Sequence, residues 1–232
     1  MTTSPSLRER LIYYFFELMV IVIGISISFV LNEWRQDRDG REALRRELAA
    51  LEVNLQADRA ELASLIERRK PIQPAMRRLL QLLDAEAPAG RAHDELFSQM
   101  FEGAGFCFYP DTGAWKALVA SGNLRWIDNR ALLAALFEFY DHTVPRIDDN
   151  NKLADEVMVT GMLAWMAAEF PATEDGKAFA GPIILTKRNT VRVRAEIGRA
   201  LPHTSWYETL LDMTLEQLDQ ALEVVRAELA RP

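Results

Sequence analysis

The stretch LIYYFFELMVIVIGISISFVL, residues 11–31, decides the architecture of this chain. Of its 21 residues 17 are apolar, and Glu17 is the one ionisable side chain among them. A helix of this length rises about 1.5 Å per residue and spans roughly 30 Å, the thickness of the hydrocarbon layer of a bilayer. The sequence therefore predicts a transmembrane helix over residues 11–32, preceded by a short tail over residues 1–10.

Two other interpretations of this stretch fit less well. A secretory signal peptide has a shorter apolar core, about 7–15 residues, followed by small residues, whereas here the charged stretch 32–38 follows. A helix that packs on the core of a soluble domain normally keeps one polar face toward solvent, but Leu18–Ile23 is apolar all round. We interpret the stretch as an uncleaved span with Tyr13, Tyr14 and Trp34 near its ends, where amphipathic rings favour the headgroup region.

The basic residues around the span bear on its orientation. Arg8 and Arg10 precede it, and five arginines follow it, at positions 35, 38, 41, 45 and 46. This count mildly favours a cytoplasmic C-terminal part, because basic residues dominate the positive-inside rule. Acidic residues among those arginines dilute the signal, so both orientations stay open.

Small and polar residues share one side of the predicted span. At about 100° per residue, Gly24 and Ser28 fall roughly 20° to either side of Glu17, and Arg35 returns to nearly the same azimuth. A small-xxx-small pair allows close helix packing in a bilayer, and a carboxyl group in hydrocarbon normally faces protein or water. We expect this stripe to mediate self-association. The alternatives are a pore or proton relay that uses Glu17, and a carboxyl group that only reaches toward the interface.

The remaining residues, 33–232, are predicted to form an all-α extramembrane domain. Leucines recur at heptad spacing from Leu44 to Leu65, with Asp58 where one leucine is missing, and apolar residues do so again from Leu211 to Leu229. The two seams suggest an antiparallel helix pair within one chain, although a coiled coil between chains gives the same period. Together with the span, this predicts a membrane helix followed by a helical bundle.

Shorter helices are predicted between the two seams. Proline and glycine separate helices over residues 74–85 and 91–102. We expect Gly122 to occupy the left-handed position after a helix and Asp128 to cap the next one. The last helix is predicted to begin near Thr204.

Two blocks of sequence resemble a known family. The first carries Tyr14, Glu17, Gly24, Asn32 and Trp34, and the second is YPDTGAWKAL, residues 109–118, continued by SGNLRWI, residues 121–127. They resemble a bacterial family of single-span membrane proteins classed as a domain of unknown function, over roughly residues 11–70 and 106–142. This chain departs from the family pattern at three places: Phe16 replaces a glycine, Asn32-Glu33-Trp34 varies the exit from the span, and Phe139-Tyr140 stands for a tyrosine pair.

The resemblance implies a place in the bacterial inner (cytoplasmic) membrane and a helical body, which the family leads us to expect on the periplasmic side. It implies no activity.

Composition and motifs favour an interaction protein over an enzyme or a nucleic-acid binder. The net charge is −7, whereas nucleic-acid-binding domains are normally basic, and the single Cys107 excludes an internal disulfide or a Cys-based zinc cluster. Glu138 and His142, four residues apart, are the one candidate for an acid–base or metal site, although a histidine at a helix C-terminus also complements the helix dipole. We therefore predict no catalytic residue, metal or cofactor.

A basic cluster lies at residues 187–199, with a net charge of +4. Arg188, Arg192 and Arg199 share one helical face, which could bind anionic lipid or an acidic partner. A solvated face paired with the protein's own carboxylates is the alternative.

The sequence as a whole predicts a single-pass membrane protein with a helical interaction domain. We expect it to form a homo-oligomer at the bilayer and to act in scaffolding or partner binding. A membrane-disrupting pore using Glu17 and an envelope-acting enzyme using Glu138 and His142 are the alternatives.

Overall fold

A computed structural model describes residues 7–85, 91–102, 107–164 and 187–231. Every regular element within these ranges is a helix, which confirms the all-helical prediction for this part of the chain. The α-helices are α1 (Leu7–Arg69), α2 (Ile72–Asp84), α3 (Arg91–Glu102), α4 (Gly113–Ser121), α5 (Arg130–Phe137), α6 (Val144–Ala154) and α7 (Lys187–Leu229). A 3-10 helix, Asn123–Trp126, follows α4, and π-helical stretches, Glu138–Thr143 and Asp155–Leu163, follow α5 and α6.

The apolar stretch and the first leucine seam form one unbroken helix, α1. It has 63 residues and is about 95 Å long, and Gly40 lies inside it without a break. An 18-residue window of α1 has a mean hydropathy of 2.2, and among the described helices α1 alone is long and apolar enough to cross a membrane. The side chains from Phe15 to Trp34 are exposed, whereas those of the seam, beginning with Leu44, are buried.

α1 and α7 pack antiparallel within one chain. Arg45 Nη2 donates to Leu229 O (2.9 Å), and further from the apolar stretch Arg59 pairs with Asp219. Leucines of both seams are buried in the same core, against residues of α4, α5 and α6; fully or almost fully buried are Leu48, Leu51, Leu55, Leu62, Leu65, Leu211, Leu218 and Val225. The intramolecular pairing suggested by the matching seams is the one that this fold adopts.

A second, smaller core lies at the end of the body that is farther from the apolar stretch. It is formed by α2, α3 and the first half of α7, with Ile72, Met76, Leu79, Phe97, Met100, Val193 and Ile197 buried in it. α7 begins at Lys187, so the start predicted near Thr204 is wrong. The helix passes through Pro202, because the burial of its apolar side in this second core offsets the cost of about 3 kcal/mol of an interior proline.

Of the two predicted helix-end residues, Gly122 is confirmed and the cap of α5 lies one residue later than predicted. Gly122 has φ 71° and occupies the left-handed position after α4, as predicted. The cap of α5 is Asn129, not Asp128: Asn129 Oδ1 accepts from the backbone N–H groups of Ala131 (3.1 Å) and Leu132 (3.4 Å). The Asp128 carboxylate instead lies 3.6 Å from Arg41 of α1.

Candidate functional site

The residue that interrupts the leucine seam of α1 fixes the loop before α4. The Asp58 side chain is only 4% exposed, and its two carboxylate oxygens accept from the Asp111 backbone N–H at 3.1 and 3.2 Å. The Asp111 carboxylate accepts from Asn54 Nδ2 (3.0 Å) and from the Gly113 N–H (2.7 Å) at the start of α4. Asp58, at the position where the seam lacks a leucine, is therefore a polar docking point for this loop.

A second docking point lies on the same side of α1. Glu47 accepts from Ser121 Oγ (3.2 Å) and, with both carboxylate oxygens, from Asn123 Nδ2 (3.1 Å). Glu47, Asn54 and Asp58 are seven and four residues apart, which places them along one edge of the helix. The sequence block over residues 109–127 thus binds α1 through a polar line, which we call the docking line. Glu47 and Asn54 were missed in the sequence, because their helical spacing alone does not show which groups they bind.

The environment of the docking line changes the ionisation of Asp58. Burial, together with the nearby carboxylates of Asp111 and Glu61, raises the pKa of the Asp58 carboxyl to about 6, although the hydrogen bond from Asp111 N–H acts in the opposite direction. Tyr140 is also buried, with its ring stacked at 5.2 Å on Trp115 and no hydrogen-bond partner for its hydroxyl among the described residues. Burial raises the pKa of this phenol well above its ordinary value.

A second buried polar cluster joins the far end of α1 to α6 and α7. Tyr207 Oη donates to Asn151 Oδ1 (2.6 Å) and accepts from Phe108 N (3.4 Å), while Asn151 Nδ2 donates to Phe108 O (2.7 Å). The Arg69 guanidinium lies 4.7 Å from the centroid of the Tyr207 ring. Burial raises the pKa of the neighbouring Cys107 thiol, so the protonated, weakly reactive form prevails at neutral pH.

Glu138 and His142, the candidate acid–base pair, lie on the first π-helical stretch. Both are exposed, and they line a small cleft against α7 together with Arg146 and Gln217. Within the described ranges, no group of three or more histidine, cysteine, aspartate or glutamate side chains could hold a metal ion.

The polar stripe predicted on the span is exposed along its whole length. Glu17, Gly24, Ser28 and Arg35 are all exposed, and a Cβ added at Gly24 would meet no other described group within 4 Å. Ser28 Oγ donates to Gly24 O (2.9 Å), which satisfies the hydroxyl within the helix. Gly24 and Ser28 border a shallow groove with Ile21, Ile25, Phe29 and Asn32.

The interfacial anchors and the basic face are described in part. The side chains of Tyr13, Tyr14 and Arg188 lie outside the described residues, as do residues 1–6 of the predicted tail. Trp34 is exposed. On α7, Arg192 and Arg199 are exposed, and Arg199 pairs with Glu196 at 3.3 Å.

A family model described as a family of unknown function (DUF6090) matches residues 17–162, more than half of the chain. The chain belongs to that family. The matched range of DUF6090 begins at Glu17 and ends inside the second π-helical stretch, so it includes the polar stripe, the docking line and its partner loop. No curated protein and no solved structure matches the chain.

Proposed function

We propose that the chain is a single-pass protein of the bacterial cytoplasmic membrane whose helical body acts as a scaffold through self-association. The observation that carries the proposal is the contrast along α1: its apolar part, Phe15 to Leu31, is exposed on all sides, while one face of its continuation is buried against other helices from Leu44 onward. Apolar surface in water costs about 25 cal/mol per Å². A bilayer removes that cost for a helix of this length.

The outer side of α1 supports pairing with a second copy. Eighteen residues make five helical turns, so Glu17, Arg35 and Val53 share one azimuth. Val53 is 65% exposed, and it lies two and a half turns from both Leu44 and Leu62, on the side opposite the core. Four of its exposed neighbours on this outer face are small, Ala49, Ala50, Ala57 and Ala60, and they lie beside the larger Arg46 and Gln56.

The polar stripe therefore continues beyond the apolar stretch as an exposed face of the body. Two chains inserted with the same orientation can align their α1 helices along this face. Such a pair gives Glu17 a protein environment in place of acyl chains, which a carboxyl group in hydrocarbon requires. Gly24 and Ser28 allow the backbones to approach closely at the same point.

Cysteine crosslinking in native membranes tests this arrangement. In a Cys107→Ser background, Val53→Cys is expected to form a covalent dimer on mild oxidation. Leu153→Cys, exposed on α6, is the control and is expected to remain monomeric. Adding Gly24→Ile to Val53→Cys is expected to lower the dimer yield. Equal yields at positions 53 and 153, or no dimer at either, would overturn the proposal.

We propose that the body lies on the periplasmic side; the family resemblance supports this orientation, whereas the arginine count mildly favours the opposite one. A membrane-impermeant maleimide is expected to label Leu153→Cys, in the same background, in intact cells whose outer membrane has been permeabilised. Labelling only after lysis would reverse the orientation, and extraction of the chain by alkaline carbonate would refute the anchor itself.

A further inference from the structure

The unbroken course of α1 fixes how far each residue of the body lies from the end of the apolar stretch. Counting from Leu31, Arg35, Arg38 and Arg41 follow at about 6, 10 and 15 Å. The headgroup layer beyond the hydrocarbon is about 5–8 Å deep on each side. Because helical side chains lean toward the helix N-terminus, these arginines extend back toward the bilayer.

Arg38 displays this direction. Its Cζ lies 5.9 Å from the centroid of the Trp34 ring, one turn closer to the apolar stretch. The guanidinium is thus at the level where an interfacial tryptophan sits. The acidic residues of the same segment carry their charge on shorter side chains, nearer the backbone. They are Glu33, Asp37, Asp39 and Glu42, and Asp37 is half-buried.

A second segment brings an arginine to the same end of the body. The 3-10 helix packs so tightly on α1 that a Cβ at Gly40 would overlap the Trp126 indole. Arg125, with its Cζ 4.8 Å from the Trp126 ring, is thereby held at about the level of residue 40. Arg35, Arg38 and Arg125 are exposed and make no ion pair with any described residue, whereas Arg41 pairs with Asp128.

We propose that Arg35, Arg38 and Arg125 form a binding surface for the phosphate groups of anionic phospholipids, with Trp34 at the headgroup level. This inference rests on the anchoring part of the proposed function and is independent of self-association. Guanidinium groups bind phosphate oxygens through paired, charge-assisted hydrogen bonds. An arginine near an anionic surface strengthens binding about fivefold, and the effect weakens with salt.

The arginines of the basic face on α7 are the natural contrast. Tyr207 lies beside Arg69, and Arg199 comes eight residues before Tyr207 in α7. Because α7 runs antiparallel to α1, Arg199 is farther from the apolar stretch, about 70 Å from Leu31 along the axis. A span tilted by about 40° still leaves it more than about 50 Å from the bilayer. Lipid of the anchoring membrane is therefore out of reach of Arg192 and Arg199.

Native mass spectrometry of the full chain, released from nanodiscs that contain equal amounts of phosphatidylglycerol and phosphatidylcholine, tests the assignment. The wild type is expected to retain phosphatidylglycerol preferentially at low salt. In the triple variant Arg35→Gln, Arg38→Gln, Arg125→Gln, the ratio of retained phosphatidylglycerol to retained phosphatidylcholine is expected to be at least tenfold lower than in the wild type. The pair Arg192→Gln, Arg199→Gln is the matched control and is expected to behave as wild type.

A triple Arg→Lys variant keeps the charges and is expected to retain most of the preference, with unchanged helical content by circular dichroism. Equal phosphatidylglycerol retention by the wild type and the Gln triple variant would overturn the proposal. It would also be overturned if only the Arg192→Gln, Arg199→Gln variant lost its phosphatidylglycerol. The same spectra report whether chains leave the nanodisc as monomers or dimers. A monomer that keeps its phosphatidylglycerol would refute self-association and leave the lipid surface standing.

Discussion

The backbone N–H of Asp111 donates to both carboxylate oxygens of Asp58, across 53 residues of chain, at 3.1 and 3.2 Å. This contact places a charge-bearing group inside a seam of leucines and attaches the loop before α4 to α1. Desolvating a carboxylate is costly, so the contact links loop docking to the ionisation of one residue.

Stability is expected to depend on pH through Asp58. Its pKa in the fold is about 6, above its ordinary value of 3.8, so the fold favours the protonated carboxyl. The contribution of Asp58 to stability is therefore present below about pH 4 and is lost as pH rises through 6. Asp58→Asn keeps an acceptor for Asp111 N–H without titrating, and it is expected to raise the melting temperature at pH 7 but not at pH 4. Thermal unfolding of the full chain in detergent, followed by circular dichroism, measures the difference. The same offset between variant and wild type at both pH values would contradict the assignment.

Removal of the Asp111 side chain is expected to loosen the start of α4. Asp111→Ala deletes the acceptor for the Gly113 N–H and for Asn54 Nδ2, and should lower the free energy of unfolding by about 1–2 kcal/mol. Asp141→Ala is the control, since Asp141 is exposed and makes no hydrogen bond or ion pair with a described residue. Chemical unfolding of both variants gives the comparison, and equal losses would show that Asp111 does not hold the loop.

Two glycines in helices are expected to respond in opposite ways to alanine. At Gly40 a Cβ would overlap the Trp126 indole, so Gly40→Ala should destabilise the fold and shift the tryptophan fluorescence. At Gly198 of α7 a Cβ meets nothing within 4 Å, so Gly198→Ala should stabilise it by about 0.5–1 kcal/mol through helix propensity. If Gly40→Ala is as stabilising as Gly198→Ala, the 3-10 helix does not pack closely on α1.

Two buried tyrosines form a second matched pair. Tyr207→Phe leaves the Phe108 N–H and the Asn151 Oδ1 without their hydroxyl partner, and is expected to cost about 1–3 kcal/mol. Tyr140→Phe removes a buried hydroxyl that has no partner among the described residues, and should be neutral or stabilising. Chemical unfolding of the two variants measures the contrast; a cost at Tyr140 that equals the cost at Tyr207 would contradict it.

The candidate site was accessible from the sequence only in part. The stripe of Glu17, Gly24, Ser28 and Arg35 follows from helical periodicity, because residues on one helix have fixed relative azimuths. The docking line was hidden, because Glu47 and Asn54 are ordinary polar residues on a helix until the loop that they bind is known. Asp58 stands where the heptad lacks a leucine, but a polar residue in a heptad does not reveal which group it binds.

The sequence by itself determined what depends on neighbours along the chain: the apolar stretch of α1, the two leucine seams, the helical class and the left-handed Gly122. Only the tertiary structure decided that the seams pair within one chain, that α7 runs through Pro202, and that Asn129 and not Asp128 caps α5. The physical reason is that these choices depend on burial and hydrogen bonds between segments distant in sequence, such as Val193 and Ile197 against α2 and Asn129 Nδ2 donating to Glu228 at 2.9 Å.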